Sequence, residues 1–217
     1  MYTDESQFIV EDNFQKLTGF PPYRFQKETI LKILNDESIL LRAPTGSGKT
    51  ETAIAPFLFA HQLIQTKQTT NKFPKKLIYV VPLRTLATSL RERTELLVRI
   101  WETYYHSSRP LVITLQTGEN PEDPRFEGDI IFCTIDQMLS SFLSIPYSVG
   151  RGSANVNCGA IFASYLVFDE LHLLDPDRSF ITVLKILQEV RGICPVLLMT
   201  ATLTTELANR IVEIINA

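Results

Sequence analysis

The sequence predicts an α/β fold, with a mainly parallel sheet covered by helices on both faces. Short, continuously apolar segments typical of buried strands alternate with longer segments whose apolar residues recur at helical spacing. The polar motifs come directly after the strands, at the edge where open parallel sheets bind their ligands. The chain has 217 residues, of which 45% are hydrophobic, so it is long enough for one domain with a sizeable core.

Strands and helices are expected in regular order along the chain. The predicted strands cover residues 38–42, 77–81, 111–115, 129–133, 165–168 and 196–199. The predicted helices cover residues 25–33, 50–64, 83–104, 135–143 and 175–191. The last of these begins at the start signal Asp175-Pro176, and Thr204 or Thr205 is expected to cap a closing helix. Residues 144–157, rich in Gly, Ser and Asn, are predicted to form a long loop.

Composition and charge exclude several classes of protein. The net charge of −3 gives no global basic field, so any nucleic-acid contact must come from local groups. The acidic N-terminus lacks the basic region of a signal peptide, and no apolar run approaches the length of a membrane span. The three cysteines have no metal-ligand spacing, and Cys133 and Cys194 lie in apolar runs typical of buried thiols. We therefore expect a cytoplasmic protein without membrane contact.

The most specific motif is a glycine-rich turn between a predicted strand and a predicted helix. It consists of Ala43, Pro44, Thr45, Gly46, Ser47, Gly48, Lys49 and Thr50, with alanine at the first glycine of the general P-loop pattern. The two glycines allow backbone N–H groups to converge on phosphate oxygens at the positive end of the helix. Lys49 would reach the β- and γ-phosphates, and the Thr50 hydroxyl would bind Mg²⁺. Taken alone, the motif indicates only nucleotide binding, and the alternative is a chance Gly-Lys-Thr in a turn.

Two further polar motifs follow apolar strands. Asp169 is expected to hold Mg²⁺ through its waters, and Glu170 to activate the water that attacks the γ-phosphate. Thr200 and Thr202 are expected to hydrogen-bond to this acidic motif, whose last residue is His172, and to pass on the state of the γ-phosphate. The alternatives are ordinary turns after strands, with Thr202 or Thr204 acting as a helix cap.

In this order, the three motifs resemble motifs I, II and III of superfamily 2 helicases. The resemblance covers the chain from about Phe20 to its end and implies the first RecA-like domain, with a P-loop NTPase fold. That domain would span residues 20–217 after an N-terminal extension of residues 1–19. ATP and Mg²⁺ are the implied cofactors.

The resemblance assigns adenine recognition to residues before the P-loop. Gln26 is placed like the glutamine that reads adenine, since a carboxamide can pair with the N6 and N7 edge of the base. Tyr23 or Phe20 would stack on the base. The alternative is that Gln26 is a solvated helix residue.

Nucleic-acid contacts are implied at two further places. Residues 81–87 resemble motif Ia, in which Arg84 and Thr85 would grip phosphates of the bound strand. Thr117-Gly118 is a weaker candidate for strand contact. A salt-bridged arginine at a helix start is the alternative explanation of Arg84.

Residues 134–137 depart from the pattern of the common RNA helicases, which have Thr-Pro-Gly-Arg in this region and Asp-Glu-Ala-Asp at motif II. Thr134, Asp136 and Gln137, together with Asp-Glu-Leu-His, are similar to the helicase of type I CRISPR interference systems. In that family, a crRNA-guided effector complex recruits the helicase, which pulls single-stranded DNA 3′ to 5′ while an HD nuclease cuts it. The three residues would lie near the DNA path; the alternative is a helix cap at Thr134 or Asp136.

The resemblance also implies a second RecA-like domain, in cis or as a separate chain. That domain would supply motifs IV to VI and the arginine fingers, which contribute about 10³–10⁵ in rate. Neither it nor the His-Asp metal cluster of a nuclease is found in the 217 residues, so this chain alone is expected to bind ATP weakly and hydrolyse it slowly. Two alternatives remain: another DExH helicase, acting on RNA or in DNA repair, and a non-catalytic, nucleotide-dependent interaction module of a larger complex.

Overall fold

Six parallel strands form one sheet in this computed structural model, which describes residues 4–65, 73–105, 109–145 and 154–216. The strands are β1 (Ile39–Arg42), β2 (Lys76–Val81), β3 (Ile113–Gln116), β4 (Ile130–Thr134), β5 (Ser164–Phe168) and β6 (Val196–Thr200). Their order across the sheet is β1-β6-β5-β2-β4-β3, and every pair is parallel. The carboxyl ends of all the strands therefore lie at the same edge, and the predicted fold class is confirmed.

Helices connect the strands and cover the sheet. They are α1 (Asp4–Thr18), α2 (Arg24–Leu34), α3 (Lys49–Gln65), α4 (Arg84–Tyr104), α5 (Ile135–Phe142), α6 (Ala154–Phe162), α7 (Ser179–Val190) and α8 (Thr205–Asn216). A short 3₁₀ helix, Leu171–Leu173, follows β5. None of the helices within the described ranges is both long and apolar enough to cross a lipid bilayer.

Both faces of the sheet are buried, as the continuous apolar strands require. Alternate residues of a strand point to opposite faces. Leu77, Tyr79 and Val81 of β2 point to the face covered by α1–α4, and Ile78 and Val80 point to the face covered by α5–α8. The two cores keep the sheet rigid behind its carboxyl edge.

Helix α1 lies in the segment that composition alone describes as a polar extension. Val10, Phe14 and Leu17 are spaced for one helical face and are buried in the first core. Glu11 and Gln15 between them are exposed, whereas Asn13 is buried and accepts a hydrogen bond from the hydroxyl of Tyr105 (2.7 Å). This segment therefore packs as a layer of the domain.

Three predicted boundaries were wrong. Helix α7 begins at Ser179 rather than at Asp175, because the Asp175 carboxylate accepts the N–H of Asp177 (3.0 Å) and closes a separate turn. Strand β3 begins at Ile113, because the N–H of Val112 is bound by the side chain of Asp129 (2.8 Å).

The third wrong boundary is the end of the predicted loop 144–157, because α6 begins at Ala154. Asn157 is fully buried there and donates to the carbonyl of Pro124 (2.9 Å), so a residue typical of loops ties the helix to the domain. Residues 146–153 of the predicted loop lie outside the described residues.

Two other expectations are confirmed. The Thr204 hydroxyl accepts the N–H of Leu207 (3.3 Å) at the start of α8 and is therefore the predicted cap. Cys133 and Cys194 are buried thiols, and burial raises the pKa of Cys194 to about 12, which makes it unreactive.

Phe14→Ala is expected to lower the free energy of unfolding by about 3–5 kcal/mol, the usual cost of removing a buried phenylalanine ring. Phe14 is 3% exposed, whereas Phe8 of the same helix is 69% exposed. Phe8→Ala is therefore the matched control, with an expected change within about 0.5 kcal/mol. Urea unfolding measures both variants, and equal stability would show that α1 does not pack on the domain.

Candidate functional site

The strand order gathers the polar motifs into two groups at the carboxyl edge. The adjacent strands β1, β6 and β5 lead into the P-loop, into Thr200 and into Asp169. The adjacent strands β2, β4 and β3 lead into Arg84, into Thr134 and into Thr117. Residues predicted to bind nucleotide and residues predicted to bind nucleic acid therefore occupy opposite halves of one edge.

The P-loop forms a concave turn at the start of α3. Gly46 and Gly48 have φ angles of 79° and 81°, which residues with a Cβ atom rarely adopt. The Ser47 hydroxyl donates to the carbonyl of Pro44 (2.7 Å) and closes the turn. Because the first N–H groups of a helix have no partner within it, this turn and the first turn of α3 form a site suited to an anion.

The Lys49 ammonium group folds back onto the loop. It donates to the carbonyl oxygens of Ala43 (3.1 Å) and Pro44 (3.2 Å) and is almost fully buried. Both acceptors are neutral, so a phosphate oxygen would be the stronger partner for this charge.

Asp169 is held by one donor at each carboxylate oxygen. Oδ1 accepts the N–H of Glu170 (2.8 Å), and Oδ2 accepts the hydroxyl of Tyr79 (2.8 Å). Burial raises the pKa of Asp169, while the Tyr79 hydrogen bond and the charge of Lys49 oppose that rise. Burial, and then the negative charge of Asp169, hold the pKa of Tyr79 well above its usual value, so the phenol remains a donor.

Glu170 is strained and poorly satisfied. Its φ of 52° lies in the left-handed region, which is costly for a residue with a Cβ atom. Its Oε2 atom is buried, lies 3.4 Å from Nδ1 of His172 and has no hydrogen-bond partner among the described residues. Strain and an unsatisfied buried acceptor at one residue are typical of a functional group.

A chain of contacts joins the acidic motif to β6. Nδ1 of His172 is 3.2 Å from the hydroxyl of Thr200, which donates to the carbonyl of Thr202 (2.9 Å). Because Thr200 has only one hydroxyl proton, the His172 ring must donate from Nδ1. The N–H of Ala43 donates to the carbonyl of Thr200 (3.3 Å), so the same chain reaches the P-loop. The structure thus brings all the predicted coupling residues together, with Thr202 contributing through its backbone.

A cleft of about 630 Å³ lies beside the P-loop, on the side of the predicted adenine site. Gln26 lines it and is 4% exposed, so the alternative of a solvated helix residue is wrong. Its Oε1 atom accepts the N–H of Tyr23 (2.8 Å), and its Nε2 atom donates to the carbonyls of Ser47 (3.4 Å) and Gly48 (3.3 Å). Tyr23 and Phe20 line the cleft and are mostly exposed, so their rings are accessible to a base.

The cleft has walls that the motifs did not indicate. Arg93 of α4 forms an ion pair with Glu51 of α3 at its side, and Phe14 and Leu17 of α1 close its far end. These residues come from helices distant in sequence, so no local pattern could have identified them.

The half of the edge formed by β2, β4 and β3, where nucleic-acid contacts are predicted, carries exposed charged residues. Arg84 is the first residue of α4 and is ion-paired with Glu119, which matches the salt-bridged arginine considered as its alternative. Both side chains are more than half exposed, so the pair contributes little and can exchange for a phosphate. Gly118 lies against this arginine, since a Cβ atom there would be 3.3 Å from its Nη2 atom. Thr85 and Asp136 are also exposed.

Three other predicted contact residues are buried at this edge. Thr117 accepts the N–H of Asn120 (3.1 Å) and closes a turn. Gln137 accepts a hydrogen bond from Gln116 (3.1 Å), a neighbour that the sequence did not indicate. Thr134 precedes α5 but makes no capping hydrogen bond through its side chain. These side chains are therefore not exposed for direct contact and instead lie beneath the exposed residues of the edge.

Thr50 and Asp169 provide a hydroxyl and a carboxylate, both of which suit Mg²⁺. In the part of the chain that the structure describes, no three His, Cys, Asp or Glu side chains could hold a metal ion by themselves. A cation at this site would therefore need phosphate oxygens and waters as further ligands, which is how Mg²⁺ binds with nucleotides.

Gly48→Ala is expected to destabilise the chain by about 0.5–1.5 kcal/mol more than Gly46→Ala, because the amide end of Gln26 must move away from the carbonyls of Ser47 and Gly48. Both substitutions strain the backbone, but only at Gly48 would the new Cβ atom lie 2.6 Å from Nε2 of Gln26. A Cβ atom at Gly46 would meet no atom within 4 Å. Thermal unfolding without nucleotide compares the two variants, and Gln26→Ala should recover the difference. Equal losses would contradict the close approach.

The chain is similar in sequence to two CRISPR-associated helicases. It is 27% identical over 202 residues to the CRISPR-associated endonuclease/helicase Cas3 of Escherichia coli, a match that covers 80% of this chain and 21% of the relative. It is 26% identical over 160 residues to the CRISPR-associated helicase Cas3 of Thermoproteus tenax, covering 66% and 25%. The chain spans about a quarter of the length of these curated relatives.

The fold is also that of solved helicases. The crystal structure of T. fusca Cas3 with ATP matches with a TM-score of 0.69 and 18% identity, over 95% of this chain and 24% of that one. The family model described as DEAD/DEAH box helicase matches residues 23–210, which include the P-loop, the acidic motif and the Thr-Ala-Thr motif. The chain therefore belongs to the DEAD/DEAH box helicase family.

Proposed function

We propose that this chain is the ATP-binding half of an ATP-dependent translocase that moves 3′ to 5′ along single-stranded DNA in type I CRISPR interference. The proposal depends on one observation: the P-loop, the acidic pair Asp169-Glu170 and Thr200 meet at one edge of the sheet. The similarity to two Cas3 helicases supports the CRISPR setting.

Phosphate binding is assigned to the P-loop and the start of α3. Backbone N–H groups there would surround the β- and γ-phosphates. Lys49 would leave the carbonyls of Ala43 and Pro44 for the more strongly accepting phosphate oxygens. Gln26 of α2, which donates to the P-loop carbonyl of Gly48, would contact adenine at the mouth of the cleft, with Tyr23 or Phe20 stacked on the base.

Magnesium binding is assigned to the Thr50 hydroxyl and, through waters, to Asp169. Bound there, Mg²⁺ would neutralise charge on the β- and γ-phosphate oxygens. Glu170 would orient the attacking water and accept its proton, since its Oε2 atom is buried without a hydrogen bond. Glu170 contacts His172, and His172 contacts Thr200, so a movement of Glu170 on hydrolysis would be transmitted to the end of β6.

The remaining parts of the motor are proposed from the relatives, of which this chain spans about a quarter. They are a second RecA-like domain that closes the ATP site with its arginine fingers, an HD nuclease, and a crRNA-guided effector complex as the recruiting partner. The single-stranded DNA would cross the half of the edge formed by Arg84, Thr85, Gly118 and Asp136, above the buried Thr117, Thr134 and Gln137.

Lys49→Ala and Glu170→Gln separate nucleotide binding from hydrolysis in the full-length protein. Loss of the lysine should weaken ATP binding by about 10–100-fold, because a charge-assisted hydrogen bond is removed. Glu170→Gln should keep ATP binding and lower kcat by about 10²–10⁴, because the general base is lost. Calorimetric titration measures binding, and DNA-stimulated phosphate release measures turnover.

Lys185→Ala and Glu189→Gln on the exposed side of α7 are matched controls that should resemble the wild type. Wild-type turnover in both site variants would overturn the proposal. The 217-residue chain should turn over slowly in the same assay, and brisk DNA-stimulated turnover by that chain would show that the second domain is unnecessary.

Arg84→Ala tests the nucleic-acid half. The variant should bind single-stranded DNA more weakly, and its plot of log K against log salt should lose about 0.7 in slope, the value for one phosphate contact on a single strand. Arg99→Ala changes another exposed arginine of α4 and should leave the slope unchanged.

Fluorescence anisotropy with labelled DNA and RNA of the same sequence measures these slopes. Stronger binding and stimulation by RNA would favour an RNA helicase. Nucleotide binding without turnover under all conditions, in the full-length protein, would favour a non-catalytic module.

A further inference from the structure

Tyr79 is a fully buried residue of β2 with a hydroxyl group at the nucleotide site. Its ring packs on Phe132 with a centroid distance of 5.1 Å, as expected for a core aromatic. Its hydroxyl nevertheless donates to Oδ2 of Asp169 (2.8 Å). The ring therefore belongs to the core, while the hydroxyl belongs to the site.

Sheet geometry explains how the hydroxyl reaches this place. Tyr79 pairs with Val167 of β5, so Asp169 lies two residues further along the neighbouring strand and on the same face. Diagonal neighbours on adjacent strands are about 7–8 Å apart, a distance that a tyrosine side chain can span. A shorter side chain at this position would leave Asp169 without this contact.

The hydrogen bonds of Asp169 leave its carboxylate able to accept a cation. The phenol donates its single proton to Oδ2 of Asp169, and Oδ1 accepts the N–H of Glu170. Among the described residues, each Asp169 oxygen has one protein donor only. The carboxylate is therefore oriented by protein contacts and can still accept a ligand.

We propose that Tyr79 is a positioning residue that fixes the orientation of the Asp169 carboxylate and thereby the selectivity of the site for Mg²⁺. The inference rests on the proposed function, which assigns the cation to Thr50 and Asp169. Mg²⁺ requires near-ideal octahedral geometry with ligands at about 2.0–2.1 Å, whereas Ca²⁺ accepts flexible geometry at about 2.3–2.6 Å. A fixed carboxylate favours the ion with the stricter geometry, and a loosened carboxylate weakens that preference.

Tyr79→Phe removes the hydroxyl and keeps the ring. Residues that orient metal ligands typically cost about 10–100-fold in metal affinity when they are changed. The apparent affinity for Mg²⁺, measured by titrating MgCl₂ into the full-length protein with the non-hydrolysable analogue AMP-PNP, should fall by about that factor. The corresponding affinity for Ca²⁺ should fall less, and binding of AMP-PNP in EDTA should not change.

Tyr165→Phe is the matched control. Tyr165 is another fully buried tyrosine on the same face of the sheet, in β5, but its hydroxyl has no hydrogen-bond partner in the part of the chain that the structure describes. Its removal should leave both metal titrations unchanged, and thermal unfolding shows that both variants are folded. Equal Mg²⁺ affinities in the two variants, or equal losses of Mg²⁺ and Ca²⁺ affinity in Tyr79→Phe, would overturn the role of Tyr79. Either result would leave the proposed function standing. AMP-PNP binding by the wild type that ignores Mg²⁺ would overturn the proposed function as well.

Discussion

Parallel pairing of the strands is the constraint on which the rest of the structure depends. Because every strand runs in the same direction, each polar motif that follows a strand reaches one edge of the sheet. The pairing of Val80 with Phe168 then places Asp169 beside the end of β2. A change of one residue in that pairing would turn Asp169 to the opposite face, away from α3 and the P-loop. The buried sheet thus determines the geometry of a site made of loops.

The nucleotide half of the edge is organised by buried polar groups. Gln26, Lys49, Tyr79 and Asp169 each cost free energy to desolvate, and each makes hydrogen bonds that offset part of that cost. In surroundings of low polarity these bonds hold the side chains in defined positions before any ligand arrives. Glu170 differs, because its strain and unpaired oxygen are compensated only by the surrounding structure. An organised site in which Oε2 of Glu170 has no hydrogen-bond partner among the described residues is suited to catalysis.

The sequence predicted those features of the site whose structural causes lie within a few neighbouring residues. The P-loop could be predicted because two glycines at positive φ and the first turn of a helix lie within a few residues of each other. Tyr79 and Arg93 could not, because a tyrosine in an apolar strand looks like core, and an arginine in an amphipathic helix looks like surface. Their roles arise from pairings between distant segments. The predicted start of α7 was wrong for a local reason. The Asp175 side chain closes a turn of its own, and this turn replaces the predicted first turn of the helix.

The half of the edge proposed to contact nucleic acid differs from the nucleotide half, because its arginines Arg84 and Arg91 are already ion-paired. Arg84 binds Glu119, and Arg91 binds both oxygens of Glu122 (2.8 Å), so two glutamates of the segment after β3 neutralise the start of α4. A phosphate strand would have to displace these carboxylates, and the net charge of −3 adds no general attraction. Binding by exchange of ion pairs is weaker than binding to free cations. For the proposed translocase this is an advantage, since a motor must release each phosphate in order to reach the next.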